Sequence, residues 1–410
     1  MSRPTRVLIA SRLFPPEVSA GAFRLGALAK SLVRHRAAVR ILTTTPPVHA
    51  PRAPDARAVD VRRWPVLRDA GDNVRGYVQY ASYDAPLLLR LIPTRYDVVV
   101  AESPPTTGLV VGVVSWLKRR PVVYYAGDVW TDGVISMGAP HAVVSIMRFM
   151  ERAVLRHAAA IISVSDEVTE RLVALDADPL KITTVGNGID TDVFSPDVTP
   201  ASEGRYFVYT GTMSEWQQPE VFVRAFAQIA ADEPDVQLRF FGQGSVEAEL
   251  RRIAEDLVPG RVTFGGVISP AESASWIRGA VASLVSIVPG IGYDFAKPTK
   301  TYAAAATGTP VLFAGPEPGA NLVRDADLGR TVDFTSDDVA EGMRSLLADA
   351  ADGTRDRLRP KRAQWAHDNV SLAAVADRVT AAISQVLPAG ASKLGPIAES
   401  TPANPERPIS

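Results

Sequence analysis

The sequence predicts an α/β chain built from two doubly wound parallel sheets in tandem. A length of 410 residues accommodates two domains that each bury a core of their own. Short β-branched runs alternate with stretches of helical period, the pattern of a parallel sheet covered by helices on both faces. The alternation pauses at the Pro-, Ser- and Gly-containing stretch DVTPASEGR, residues 197–205, and then restarts.

In the first half the predicted strands are RVLIA (6–10), VRILTT (39–44), DVVVAE (97–102), PVVYYA (121–126) and AIISVS (160–165). Between the first two, GAFRLGALAKSLVRH has helical period and is expected to place Phe23, Leu25, Leu28 and Leu32 near one face. The second half gives YFVYTG (206–211), VQLRFFG (236–242), RVTFGG (261–266), ASLVSIV (282–288) and PVLFAG (310–315), with helices such as PEVFVRAFAQIAAD between them. The expected organisation is a first domain over 1–196, a linker over 197–205 and a second domain over 206–345. A helical segment over 346–388 is expected to pack back toward the first domain, and the tail 389–410 lacks periodicity and reads as disordered. In this architecture ligands bind outside the carboxyl ends of the strands, so function is expected in the loops that follow them.

Composition narrows the chemistry. An apolar fraction of 46%, a charged fraction of 22% and a net charge of −1 describe a globular chain with no reason to bind nucleic acid. Cysteine is absent, which removes disulfides, thiolate zinc sites and a cysteine nucleophile and fits a reducing, cytoplasmic setting. The five histidines form no metal-ligand spacing, and neither G-x-S-x-G nor H-E-x-x-H occurs. The apolar run in MSRPTRVLIASRLFPPE is too short for a signal-peptide core. TTGLVVGVVSWLKRR is the longest apolar candidate; it reads as a core helix with a solvated end, or as a membrane-surface segment. Residues 1–200 hold 24 Lys and Arg against 19 Asp and Glu, so anionic lipid at the inner face of a membrane is a compatible neighbour.

Five loops could carry chemistry. After the first strand, Gly21 precedes a helix whose first turn holds Arg24, a place where an anion could approach the backbone, although a glycine there is equally a turn residue. After strand 121–126, AGDVWTDG sets Asp128 beside Trp130. An acid next to a ring suits a sugar, but Asp128 could cap a helix and Trp130 could be core. Asn187-Gly188 in TVGNGIDTDVF is first a tight turn. In GTMSEWQQPE, Gly211 and Thr212 end a strand ahead of a helix expected from about Gln217, where backbone donors could hold phosphate. In KPTKTYAAAATGTPVL, Pro298 suits a first helical turn, and Lys297 and Lys300 flank it. Cations there oppose the helix dipole, so they make sense as partners of a diphosphate; otherwise they are two solvated lysines.

Taken in order, FPPEVSAGAFR, SPPTTG, GDVWTD, ERAVLRHAAAIISVS, VGNGIDTDVFSP, VYTGTMSEWQ, FFGQG, VTFGGVI and KPTKTYAAAATGTPVL resemble the GT-B glycosyltransferases, and most of all the retaining family four (group 1). The resemblance spans roughly residues 5 to 385. It implies two Rossmann-like domains facing each other across a cleft, an acceptor held by the first and a nucleotide-sugar donor of UDP, GDP or dTDP type held by the second. It also implies retention of anomeric configuration without a required metal or cofactor. By that likeness Gly21 lies beneath the donor phosphates and sugar, Asp128 falls on the D-x-W loop lining the acceptor side, Asn187 and Gly188 form the turn near the domain hinge, and Gly265, Gly266 and Val267 hold the nucleobase; Lys300, Lys297 and Asp128 are the expected catalytic groups, and Arg24, Trp130 and Asn187 the expected acceptor contacts. Gly211, Thr212, Lys297, Pro298, Thr299 and Lys300 fall on the phosphate side, with the helix start Gly319, Ala320 and Asn321 adding donors.

The departures are specific. Relatives commonly place an Arg and a Lys where this chain has Thr212 and Gln217. They place a ribose-binding Glu where it has Ala303, and a companion acid where it has Phe295, with Asp294 the nearest carboxylate. The reading that follows is a sugar transferase acting on a sugar, lipid-linked or small-molecule acceptor in polysaccharide, glycolipid or glycosylated-metabolite synthesis. A catalytically silent scaffold subunit and a nucleotide-sugar epimerase are the alternatives.

Overall fold

The computed structural model describes residues 3–17, 19–47, 58–69, 74, 76–136, 138–291, 293–294, 296–389, 391 and 394. The chain forms two compact units, dividing between Asn187 and Gly188 and again between Ala374 and Val375, so that the carboxyl-terminal residues rejoin the first unit. Phe295 and most of the tail lie outside the described residues.

In the first unit seven described strands are hydrogen-bonded in parallel: β1 (Arg6–Ala10), β2 (Ala38–Thr44), β3 (Val59–Trp64), β4 (Val98–Glu102), β5 (Val122–Ala126), β6 (Ala160–Ser163) and β7 (Ile182–Thr184). Their order is β3-β2-β1-β4-β5-β6-β7. The helices are α1 (Ala20–Arg34), α2 (Tyr77–Leu91), α3 (Pro105–Leu117), α4 (Trp130–Ser136), α5 (His141–His157) and α6 (Asp166–Ala174). The second unit orders β10-β9-β8-β11-β12-β13 from β8 (Tyr206–Thr210), β9 (Gln237–Phe241), β10 (Val262–Phe264), β11 (Ala282–Ser286), β12 (Val311–Ala314) and β13 (Gly329–Val332). Its helices are α7 (Glu220–Ala227), α8 (Glu247–Leu257), α9 (Pro270–Gly279), α10 (Thr299–Ala306), α11 (Gly319–Asp325), α12 (Ser336–Ala351), α13 (Thr354–Arg357) and α14 (Arg359–Val370); α15 (Leu372–Gln385) carries the chain back to the first unit. In both sheets the strand order reverses beside the first strand, so each has a switch point, at β1/β4 and at β8/β11.

The cores follow from the strand composition. Strands buried on both faces read as continuous apolar runs, and β1, β4 and β5 are of this kind. One face of the first sheet packs Leu25, Leu28 and Leu32 of α1 with Val379 and Ile383 of α15; the other packs Tyr83 of α2, Val111 of α3 and Val154 of α5. Each such side chain contributes about 1.5–3 kcal/mol by leaving water. Phe23 is an exception to the expectation: it is exposed, because the buried stripe of α1 runs through 25, 28, 29 and 32 and position 23 lies off it.

Four further expectations change. Strand β3, VDVRRW, was not expected because its charges alternate; it is a half-exposed edge strand, where such residues are tolerated. Strands β7 and β13 are three- and four-residue edges, too short to give a periodic signal. Residues 197–205 are not where the units divide: Ala201 donates to the Ser275 carbonyl and Pro200 packs near Gly279, within the second unit. Residues 346–374 also stay in the second unit, because α14 lies on α10 and the Arg359 guanidinium donates to the Thr307 carbonyl at 3.1 Å.

Candidate active site

At the switch point of the first sheet, Ser11 after β1 and Glu102 at the end of β4 join through a short hydrogen bond from the Ser11 hydroxyl to the carboxylate. Glu102 is fully enclosed, and burial pushes its carboxyl above the usual range against the pull of Ser11, Arg24 and Arg12. Gly21 is held against it: a methyl group at that position would meet Glu102 Oε1 at 2.6 Å. Ser19 caps α1 by accepting from Ala22, which fixes the turn that delivers Gly21 and Arg24 to the strand ends. The Arg24 guanidinium lies against Gly127 and donates to Asn187 Oδ1 at 3.3 Å. Asp128 follows Gly127; burial raises its carboxyl pKa and Arg24 opposes that rise.

The open alternatives for the D-x-W loop resolve in part. Helix α4 is capped by Glu151, which accepts from the backbone N–H groups of Trp130 and Thr131 at 2.9 Å each, so Asp128 is not the cap. Trp130 is half-buried, edge-on to Tyr80 with ring centroids 5.5 Å apart, and its indole N–H is buried with no partner among the described residues. The Arg12 guanidinium lies 4.1 Å from the Tyr80 ring centre, and its Nε is likewise unpartnered. The arrangement therefore gathers Gly21, Arg24, Asp128 and Asn187 around one buried acid, with aromatic and cationic groups beside it. Gly21→Ala is expected to destabilise the chain by about 1–3 kcal/mol through overpacking against Glu102. A thermal melt of the variant checks this, and Glu102→Asp in the same chain, with its shorter side chain, is expected to restore part of the loss.

In the second unit a pocket of about 530 Å³ opens at the β8/β11 switch point. Gly211, Thr212, Gln217, Val267, Pro298, Thr299, Lys300 and Ala303 all line it, and among the described residues no carboxylate does. The loop after β8 is tied down from below: Gly211 donates to Phe241, Met213 to Gln243, and the Ser286 hydroxyl to the Gln217 carbonyl at 2.7 Å. Helix α7 begins at Glu220 rather than near Gln217, because Pro219 sets the start and Gln218 has a left-handed backbone. Gln217 is buried instead, its side-chain oxygen accepting from the Tyr209 hydroxyl at 2.8 Å.

Lys300 stands in the first turn of α10, behind Pro298, which is the N-cap rather than part of the helix. Its amine donates to the Thr212 carbonyl at 3.4 Å and sits 3.7 Å from the centre of the Tyr209 ring. It has no carboxylate partner among the described residues, and burial pushes its pKa down to about 7. Alanines 303–306 are all buried, which lets α10 lie close on β11 and β12; Ala303 alone of the four faces the pocket.

The other predicted positions fall elsewhere. Lys297 is exposed ahead of α10 and does not line the pocket. Gly265 is packed against the Phe241 ring, and Gly266, with φ of 68°, offers its carbonyl to Gly242; neither reaches the pocket surface. Gly319 rests on Phe313, Ala320 lines a separate depression beside β13, and Asn321 donates to Glu317 at 2.9 Å. The sequence reading missed Ser11, Arg12, Glu102, Glu151 and Tyr209. Glu102 had a signal, an acid closing an otherwise apolar strand, whereas Tyr209 inside an apolar run had none.

Two Rossmann-like units, the second with a ligand-sized pocket at its switch point, define a class of proteins, and comparison with known proteins places the chain within it. The profile described as Glycosyl transferase 4-like domain matches residues 20–188, and that of Glycosyl transferases group 1 matches residues 204–349. The chain belongs to this family of group 1 glycosyltransferases. It is 30% identical over 235 residues to a D-inositol 3-phosphate glycosyltransferase of Nocardioides, covering 51% of this chain and 50% of that protein. The chain thus spans about half the length of the curated relatives it matches. Among solved structures it resembles sucrose-phosphate synthase from Thermosynechococcus elongatus, at 18% identity and a TM-score of 0.64 over 93% of this chain and 98% of that one. It also resembles Anabaena HepE in complex with UDP-glucose, at 15% identity and a TM-score of 0.58 over 93% and 99%. At these identities the structural likeness concerns the fold. Among the described residues no helix is long and apolar enough to cross a membrane.

Proposed function

We propose that this chain transfers a glycosyl group from a nucleoside-diphosphate sugar to an acceptor hydroxyl, with retention of anomeric configuration. The observation that supports it most is the second-unit pocket, where the Lys300 amine, without a carboxylate partner among the described residues, faces the same space as the loop Gly211–Thr212. A half-buried amine of this kind is complementary to an anion, and the diphosphate of a sugar nucleotide supplies one. In the reaction the bond from the anomeric carbon to the β-phosphate oxygen breaks and its electron pair stays on that oxygen. The acceptor oxygen bonds to the same carbon on the same face, and its proton passes to the departing phosphate. Lys300 offsets the charge that grows on the leaving group. Around Glu102 the first unit offers what an acceptor needs: Asp128 and Asn187 as hydrogen-bond acceptors and the Arg24 cation beside them.

The test is direct. A nucleoside diphosphate that binds the folded chain raises its melting temperature, by about 2.7 kcal/mol of stability at a hundredfold excess over Kd. At least one of UDP, GDP and dTDP is expected to do so, and the matching sugar nucleotide is expected to turn over with release of that diphosphate. Binding without turnover on any acceptor would favour the silent scaffold, a reading motivated by Ala303 in the pocket wall and by Gln217, which is held by Tyr209.

A further inference from the structure

We propose that helices α2, α3 and α5 of the first unit form a docking face for an anionic lipid bilayer. The three helices lie side by side on one face of the sheet, α2 against α3 and α3 against α5, and each turns an apolar stripe away from the core. On α3 the stripe is Val113, Trp116 and Leu117, with Trp116 73% exposed. On α2 and just beyond it the stripe is Leu88, Leu89 and Ile92. On α5 it is Ile146 and Phe149, the latter also 73% exposed. Spacings of three and four residues put each set on one side of its helix, opposite the buried set Tyr83 and Leu87, Val111 and Val114, or Met147 and Val154. Exposed apolar surface on three neighbouring helices is more than the scattered exposure of an ordinary surface.

The charges select the occupant. The acids on these three helices are Asp84 and Glu151, and both are buried, Asp84 against the Thr107 hydroxyl and Glu151 as the cap of α4. The exposed charges on them and at their carboxyl ends that no acid among the described residues neutralises are cationic: Arg95 after α2, Arg119 after α3 and Arg148 on α5. Asp97 and Asp176 at the margin are taken up by Arg6 and Arg120 and by Arg152 and Arg156. Two copies of the face would bring like charges together, which disfavours self-association through it. A bilayer with anionic headgroups receives both features, the apolar stripes below the headgroups and the arginines among them, with Trp116 at the interface. Because α2 and α3 run back toward the amino ends of the strands, their exposed ends lie away from the Glu102 loops, so docking leaves that site open.

The test uses the full chain and vesicles of phosphatidylcholine alone or mixed in equal parts with phosphatidylglycerol, read by co-sedimentation. The chain is expected to sediment with the mixed vesicles and far less with phosphatidylcholine alone. Trp116→Glu with Phe149→Glu is expected to abolish binding, and Arg119→Gln with Arg148→Gln to weaken it roughly tenfold to thirtyfold. All four side chains are exposed, so the melting temperature should not move and serves as the check on folding. Absence of binding to the mixed vesicles, equal binding by both double variants, or a wild-type dimer that the Trp116/Phe149 variant converts to monomer would overturn the proposal. None of these outcomes depends on sugar transfer, so they stand apart from the reading of the active site.

Discussion

Lys300→Ala is expected to lower donor turnover roughly 30-fold to 1,000-fold, the effect of losing one preorganised cation worth about 2–4 kcal/mol at a departing oxyanion. The fold should survive, because the substitution removes a desolvated amine that has no carboxylate partner among the described residues to leave behind. Lys300 is set by its surroundings: Tyr209 beneath it, the Thr212 carbonyl beside it, and a helix start that repels a cation. Burial, against the pull of the ring and the carbonyl, holds its pKa near 7, so in the free protein the amine loses its proton as the pH rises through neutrality. A bound diphosphate favours the ammonium form and raises that pKa. Affinity is therefore expected to be greatest below about pH 7 and to fall as the pH climbs from there toward the pKa of the complex, with a proton taken up on binding. Lys300→Arg, which stays charged, is expected to remove the pH dependence while keeping some affinity. Initial rates and Kd across this range measure both effects.

Gly242→Ala is expected to be among the most damaging single methyls in the second unit. Gly242 follows β9 with φ of 127°, a backbone that side chains rarely adopt, and the new methyl would overlap the carbonyl of Gly211. Neither neighbour can yield easily, since Gly211 is hydrogen-bonded to Phe241 and Gly242 to Gly266. Strain and overpacking together suggest a loss of about 2–4 kcal/mol, and the displaced Gly211 loop should weaken nucleotide binding as well. Gly266→Ala is the informative control. It shares a positive φ, 68°, but has open space at the Cβ position, so about 1 kcal/mol is expected. Thermal melts of the two variants, followed by nucleotide titration, separate backbone strain from collision.

The fold was legible because its evidence is periodic. Strands such as RVLIA and DVVVAE are continuous apolar runs, and a helix such as Ala20–Arg34 repeats its leucines at three and four residues, so local pattern and tertiary burial agree. What escaped were edges and positions decided by contacts distant in sequence. Strand β3 hid behind alternating charges, and the unit boundary at Asn187 is marked only by an Asn-Gly turn, unlike the Pro-containing 197–205 that lies inside the second unit. The site divided in the same way. Gly211, Thr212, Pro298, Thr299 and Lys300 could be grouped because strand ends of one doubly wound sheet converge, and they do share a pocket. Lys297 could not be told from Lys300 by sequence, since only the helical register turns one inward and leaves the other exposed. Glu102 was passed over as a strand terminus, although the same convergence brings Ser11, Gly21 and Arg24 to it across 91 and fewer residues of chain.

The central claim, a nucleoside-diphosphate site organised by Lys300, is tested most directly by calorimetric titration of the full chain with UDP, GDP and dTDP. The titration is run slightly above neutral pH in two buffers that differ in ionisation enthalpy. The expected result is saturable binding of at least one of them with measurable proton uptake, and in Lys300→Ala a weaker binding from which the uptake has gone. No binding of any of the three, or binding by Lys300→Ala with wild-type affinity and proton uptake, would contradict it.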